Sequence, residues 1–191
     1  MIGVVLAGGE SRRFGSQKAF HLLEGQSFYE RVARTMEMSR QFSDIVISAN
    51  DAIADNFDAY SVIIDEQQYK NHGPLAGIYS VMNAFPDVDC CVISVDTPFI
   101  TTEAIDYLVN QYAGRLTLYR DDHHIHPTIG IYPAWLKPVI KHLLDNQQLA
   151  LRHLFNNNTC YINVASVPGN WHANINTQSD LIMIKEGERH D

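Results

Sequence analysis

The chain has no apolar run approaching the ~18 residues that a membrane span needs, and it does not start with the charged stretch and apolar stretch of a secretory leader. Cysteine is scarce. The three cysteines form an odd set, and Cys90 and Cys91 are neighbours inside an apolar run, where a buried strand suits them better than a disulfide framework or a metal site. Basic residues are outnumbered: 14 Lys and Arg against 22 Asp and Glu leave a formal net charge of −8, the wrong sign for a surface that grips a phosphate backbone. Repeats, low-complexity tracts and linkers are missing too. These absences predict a cytoplasmic globular protein, one domain over residues 1–191, with no membrane and no nucleic-acid partner. The 46% hydrophobic content is enough for a substantial core.

Short Val- and Ile-rich runs alternate with longer segments of helical period, the pattern of a parallel or mostly parallel sheet with crossover helices. Strands are expected at 2–6, 44–48, 61–64 and 90–95. Ser27 and Glu30 make a capping box before a helix over 28–38, Pro74 suits the first turn of a helix through 77–84, and a third helix follows Thr102. Farther on, 116–120 and 126–132 flank the polar turn 121–124 like an antiparallel hairpin. Segments 133–144 and 150–155 read as helical, 159–164 as a last strand, and a final helix starts near Gln178. The expected fold is a three-layer α/β domain with an inserted or appended hairpin.

The loop after the first strand reads AGGESRRFGSQK, with two adjacent arginines and a lysine working against the negative overall field. In parallel α/β sheets, ligands collect beyond the carboxyl ends of strands. Gly8 and Gly9 let a backbone approach an anion with its amide hydrogens, and Arg13 and Lys18 can neutralise phosphate oxygens. A solvated turn of the same composition is the plainer alternative. Two familiar phosphate motifs fail. Lys18 stands apart from Gly15 and precedes Ala19, unlike a P-loop lysine, and Gly8, Gly9 and Gly15 do not give G-x-G-x-x-G spacing.

The stretch from Leu6 to Lys18 does match L-A-G-G-x-S-x-R-x-G-x-x-K, and four further segments follow in order: ISAN ending at Asn50, GPLAGI from Gly73, VDTPFI from Val95 and NINT from Asn174. With these residues, spread over nearly the whole chain, the sequence resembles the molybdenum cofactor guanylyltransferase (MobA) family of nucleotidyltransferases. The resemblance implies a Rossmann-like α/β fold of the nucleotide-diphospho-sugar-transferase type, mostly parallel with an antiparallel hairpin. It also implies a reaction in which the terminal phosphate of molybdenum-loaded molybdopterin attacks the α-phosphorus of GTP and releases pyrophosphate. Attacker and target are both anionic, so charge neutralisation and in-line positioning matter more than a protein nucleophile. Mg²⁺ held by one or two carboxylates and the substrate's phosphates meets that need.

On this resemblance Asp96, Lys18 and Arg13 are the catalytic candidates, with Asp96 as metal carboxylate. Asp96 follows the apolar strand and precedes Thr97-Pro98, where a turn or capping aspartate is also ordinary. Leu6, Ala7, Gly8, Gly9, Lys18, Asn50, Asp65, Gly73, Gly77 and Asp96 are the expected nucleotide contacts. GPLAGI offers a helix start to an anion or a base edge, or simply small residues for close packing. Asp65 can accept from guanine N1 and N2 or from ribose hydroxyls. Asn174, Asn176 and Arg152 are placed at the molybdopterin end, the asparagines also being suited to capping the last helix. His123, His124 and His126 lack both a helical i,i+4 face and paired zinc spacing, and His126-Pro127-Thr128 matches a family hairpin bordering the second substrate. Other molybdenum-cofactor biosynthesis or insertion proteins are further partners. Two departures stand out: Val95 where the family often has Cys, and Gln17 where many members have Asp. The rivals are a cytidylyltransferase, whose loop typically reads L-A-A-G, a sugar-1-phosphate nucleotidyltransferase, and a binding scaffold without turnover.

Overall fold

The computed structural model of the protein describes residues 1–9, 14, 17–177 and 179–181. Its strands are β1 (Ile2–Leu6), β2 (Leu22–Leu23), β3 (Gln26–Ser27), β4 (Asp44–Ala49), β5 (Ser61–Ile64), β6 (Cys90–Ser94), β7 (Thr117–Arg120), β8 (Ile125–Tyr132) and β9 (Cys160–Asn163). Seven of them form one sheet in the order β5-β4-β1-β6-β8-β7-β9. β5, β4, β1 and β6 are parallel, β8 is antiparallel to both its neighbours, and β9 runs parallel to β7 at the edge. β1 and β6 are buried at every position, which is why they read as unbroken apolar runs rather than alternating ones. Cys90 and Cys91 point into opposite cores as free thiols.

The helices are α1 (Phe28–Ser39), α2 (Pro74–Ala84), α3 (Thr102–Gln111) and α4 (Lys137–Asp145). α1 and α3 pack together on one face of the sheet and α2 and α4 on the other, giving the expected three layers with a core on each side. The capping box forms: Glu30 accepts from the Ser27 amide at 2.9 Å while Ser27 Oγ accepts from the Glu30 amide. α1 then buries Phe28, Val32 and Met36 completely, each contributing about 1.5–3 kcal/mol. Among the described residues no helix is long and apolar enough to cross a membrane.

Several boundaries move for local reasons. α2, by contrast, keeps its expected start, with Pro74 in the first turn, because Gly73 at φ 69° turns the chain and proline fits the first helical position. Segment 133–144 divides into a 3₁₀ turn at Ala134–Leu136 and then α4. Segment 150–155 is only a 3₁₀ turn, Leu151–Leu154, too short for an α-helix but long enough to bury both leucines against α4. β6 ends at Ser94, although the Val95 amide still bonds the Leu6 carbonyl at 3.1 Å. The small β2–β3 hairpin is unexpected. Its turn holds Glu24 and Gly25 at positive φ, 54° and 81°, and strands this short leave no readable alternation. The expected hairpin of β7 and β8 is present but bulged: Leu118 faces Gly130 and Tyr119 faces His126, so Pro127, Thr128 and Ile129 have no counterpart in β7. Arg13, Gly15 and Gln178 lie outside the described residues.

Candidate active site

A cavity of about 600 Å³ opens beyond the carboxyl ends of the parallel strands, where ligands collect in this architecture. Its lining comes from β1 and the following loop (Leu6, Ala7, Gly8, Gly9), the end of β4 (Ser48, Asn50), Asp65 after β5, the start of α2 (Asn71, Gly73, Pro74, Gly77), the end of β6 (Ser94, Val95, Asp96) and Thr128 of β8. Of the expected nucleotide residues all but Lys18 line it. Ser48 lies inside the ISAN motif but is not among the expected contacts, Ser94 is signalled only by its place at the end of β6, and Asn71, in the turn before α2, has no local signal.

The glycines divide by cause. A Cβ at Gly77 would overlap Ser48 Oγ and make ordinary contact with Leu6 and Asp65, so glycine lets α2 lie on β4 with the Ser48 hydroxyl left where it is. Gly8 and Gly9 have φ outside the left-handed region. A Cβ at Gly8 would make ordinary contact with the Asn50 amide at 3.4 Å, and among the described residues one at Gly9 would meet nothing within 4 Å. Packing does not demand these two glycines. They leave open backbone facing the cavity, which suits close approach of a ligand.

At the β6 end of the cavity sits an ion pair. Lys18 Nζ donates to Asp96 Oδ1 at 2.9 Å and to Asn176 Oδ1 at 3.1 Å, with the lysine side chain only 7% exposed and the aspartate 37%. The 3₁₀ turn Lys18–Phe20 aims the lysine inward. Asp96 is fixed by its own backbone: its amide donates to Ser94 Oγ at 3.2 Å, and its carbonyl accepts from the Ile175 amide at 2.8 Å. Thr97 Oγ1 donates to Asn174 Oδ1 at 3.3 Å. The segment carrying Asn174 and Asn176 is therefore strapped across the end of β6, and Asn176 belongs to the Lys18–Asp96 centre itself. Asp180 accepts from the Asn176 and Thr177 amides, both at 2.8 Å, and fixes the far end of the strap. Arg152 is exposed on its 3₁₀ turn and is not among the cavity-lining residues.

Two groups in the cavity are poised for a ligand. Asn50 Nδ2 donates to the Gly8 carbonyl at 3.0 Å, which sets the amide's orientation because a carbonyl only accepts, and among the described residues its buried Oδ1 has no donor. Burial pushes the Asp65 carboxyl up to about 6, with the charge of Asp51 adding and His72 opposing. Among the described residues Asp96 Oδ2 accepts no hydrogen bond, and the carboxylate stays partly open to the cavity. That donor set fits a hard divalent cation completed by phosphate oxygens and water.

Across the sheet, Asp121, His126 and His172 bring one donor atom each within 4.8 Å of one another. Only His126 of the histidine tract joins this group. His124 stays 78% exposed, and His172 comes from the strap, a meeting that local spacing could not reveal.

A glycine-rich loop, carboxylates and a buried lysine converging at the ends of parallel strands define the nucleotide-binding class of α/β proteins. The chain belongs to the MobA-like NTP transferase domain family, which matches residues 3–160. Among solved structures it is similar in fold to molybdopterin-guanine dinucleotide biosynthesis protein A from Archaeoglobus fulgidus, at 22% identity over 100% of both chains and a TM-score of 0.77. It is also similar to Rv0371C of Mycobacterium tuberculosis in complex with manganese, at 16% identity over 97% of each chain and TM-score 0.68. A third likeness is to the bifunctional IspDF of Campylobacter jejuni, at 13% identity over 95% of this chain and 53% of that one, TM-score 0.71.

Proposed function

We propose that the chain is a guanylyltransferase that transfers GMP from GTP to molybdenum-loaded molybdopterin. The observation that carries this reading is the Lys18–Asp96–Asn176 constellation at the foot of a cavity lined by bare glycine backbone. It is supported by the motifs from Leu6 to Thr177 and by the name of the Archaeoglobus fulgidus protein of similar fold.

In this reading an oxygen of the acceptor's terminal phosphate bonds to the α-phosphorus of GTP as the bond to the β-phosphate oxygen breaks, and pyrophosphate leaves with that electron pair. The Lys18 ammonium, held by Asp96 and Asn176 before substrate arrives, meets the charge that develops on the phosphate oxygens without having to reorganise. Asp96 Oδ2 would hold Mg²⁺ together with nucleotide phosphates, and the cation would supply further charge neutralisation. Gly8 and Gly9 present backbone to the nucleotide, Asn50 and Asp65 offer acceptors for base or ribose donors, and Arg13 adds positive charge from the loop. Asn174 and Arg152 are assigned to the acceptor.

The test is product analysis after incubating the protein with molybdate-loaded molybdopterin, Mg²⁺ and GTP, CTP or ATP separately. The guanine dinucleotide and pyrophosphate should form with GTP. The cytosine dinucleotide forming at an equal rate would refute guanine selectivity, its forming faster would replace this reading with the cytidylyltransferase one, and no dinucleotide from any nucleotide would leave a sugar-1-phosphate nucleotidyltransferase or a binding scaffold.

A further inference from the structure

Lys18, Asp96 and the phosphates of a nucleotide leave three side chains on the β7–β8 side of the sheet, outside the cavity lining, without a task. Asp121 follows β7, His126 lies on β8 just before the bulge, and His172 opens the strap. His126 Nε2 and Asp121 Oδ2 are 3.0 Å apart, and the His126 and His172 rings meet edge to face at 5.4 Å between centroids. Asp121 is fixed as a ligand of a metal would be. Its Oδ1 accepts the amide hydrogens of His123 and His124 at 2.7 and 2.6 Å, which orients Oδ2 toward His126. The side chains of His126 and Asp121 are 10% and 26% exposed, so this is a niche and not a surface tract. Furthermore, among the described residues His172 Nδ1 is buried with no hydrogen-bond partner, an arrangement that calls for a water or an ion to complete it.

We propose that Asp121, His126 and His172 form a binding site for a transition-metal ion of the Zn²⁺ class, separate from the hard-cation position at Asp96. Two imidazoles and one carboxylate are a nitrogen-rich set that favours Zn²⁺, Co²⁺ or Ni²⁺ over Mg²⁺. Metal–ligand bonds of about 2.0–2.1 Å in a tetrahedron put donor atoms roughly 3.3 Å apart, a spacing close to that of the His126–Asp121 pair at 3.0 Å, while no donor pair exceeds 4.8 Å, so closure of at most about 1.5 Å completes the set. Three protein ligands leave a fourth position for water or an incoming anion. The ion would also tie the strap that carries Asn174 and Asn176 to β7 and β8.

Co²⁺ titration of the untagged, metal-stripped full chain in the Asp96→Asn background, followed by visible absorption, tests the site. One equivalent of Co²⁺ should bind with the strong ligand-field bands of a four-coordinate ion, Zn²⁺ should displace it, and excess Mg²⁺ should not. His172→Phe should weaken binding by about a hundredfold or more, at least the upper end of what loss of an outer-shell partner costs. His126→Gln should do the same with circular dichroism unchanged, which separates ligation from a folding defect. The double variant His123→Gln, His124→Gln should bind as the parent does, because those residues hold Asp121 through their backbones. Failure of the parent to bind Co²⁺, equal binding in both the His172→Phe and His126→Gln variants, or loss confined to the double variant would overturn the assignment. None of these readouts depends on nucleotidyl transfer.

Discussion

On the β5–β4–β1–β6 side of the cleft four candidate positions sit just past the end of a parallel strand: Gly8 after β1, Asn50 after β4, Asp65 after β5, Asp96 after β6. Over β8 and β7 the side chains come instead from a bulged hairpin and from a strap that returns from beyond β9. The first half presents backbone and carboxylates, suited to phosphates and a hard cation. The second presents imidazoles and amides. Lys18 is where the halves join, since it bonds Asp96 of one and Asn176 of the other. A two-substrate transfer needs such a join, because each substrate must be held by its own half while the charge between them is neutralised once.

The strongest way to break this join is at Asp96 and Lys18. Asp96→Asn should lower kcat by about a thousandfold with the fold intact, and Lys18→Ala by about a hundredfold, near 3 kcal/mol. Because the ammonium lies 2.9 Å from the carboxylate, the double variant should lose far less than the product of the two. Full additivity in steady-state kinetics would show that the two groups act independently. Asn176→Ala should follow Lys18→Ala in direction, with a lower kcat and little change in the GTP dissociation constant.

The two halves also differ in how far the sequence reveals them. Strand ends, the Ser27–Glu30 capping box and the glycine motifs are local, so the three-layer fold could be read from neighbouring residues, and the resemblance those motifs carry picked out most of the residues that line the cavity. The Lys18–Asn176 bond and the Asp121–His126–His172 cluster depend on chain return, and no periodicity encodes that. Short elements escaped for another reason. β2 and β3 carry two residues each, and Leu151–Leu154 has helical composition but turns away after one 3₁₀ turn, because tertiary burial of its leucines outweighs propensity.

A smaller effect sharpens the nucleotide half. Asp65 has its carboxyl raised from 3.8 to about 6 by burial, so the folded chain binds its proton more tightly than the unfolded one. Its contribution to stability is greatest below pH 3.8 and falls as the pH rises to about 6. Asp65→Asn should therefore raise stability at pH 7 by about 1–2 kcal/mol, after discounting for partial exposure. Ligand binding should run the other way. If the carboxylate accepts from base or ribose, GTP affinity rises about tenfold from pH 5 to pH 7. Calorimetry of parent and Asp65→Asn cancels the nucleotide's own titration, and an unchanged difference across that range would remove Asp65 from the contact set.

The smallest expected effect separates scaffold from recognition within one loop. An added methyl at Gly8 would rest 3.4 Å from the Asn50 amide, in a backbone conformation open to any residue. Gly8→Ala should accordingly change stability by no more than about 0.5 kcal/mol, with any gain coming from a less flexible unfolded chain. The Gly8 carbonyl still holds Asn50 Nδ2 at 3.0 Å in such a variant, so the amide keeps its orientation. What changes is the approach of the ligand, because the methyl stands where a base or phosphate would meet bare backbone. The preference for GTP over CTP should fall a few-fold while the melting temperature stays put, a combination that binding measurements with both nucleotides and a thermal scan can read together. A retained preference would assign base discrimination to Asn50, Asp65 and the α2 start alone, and a large loss of stability would mean that the loop packs more tightly on β4 than its geometry indicates.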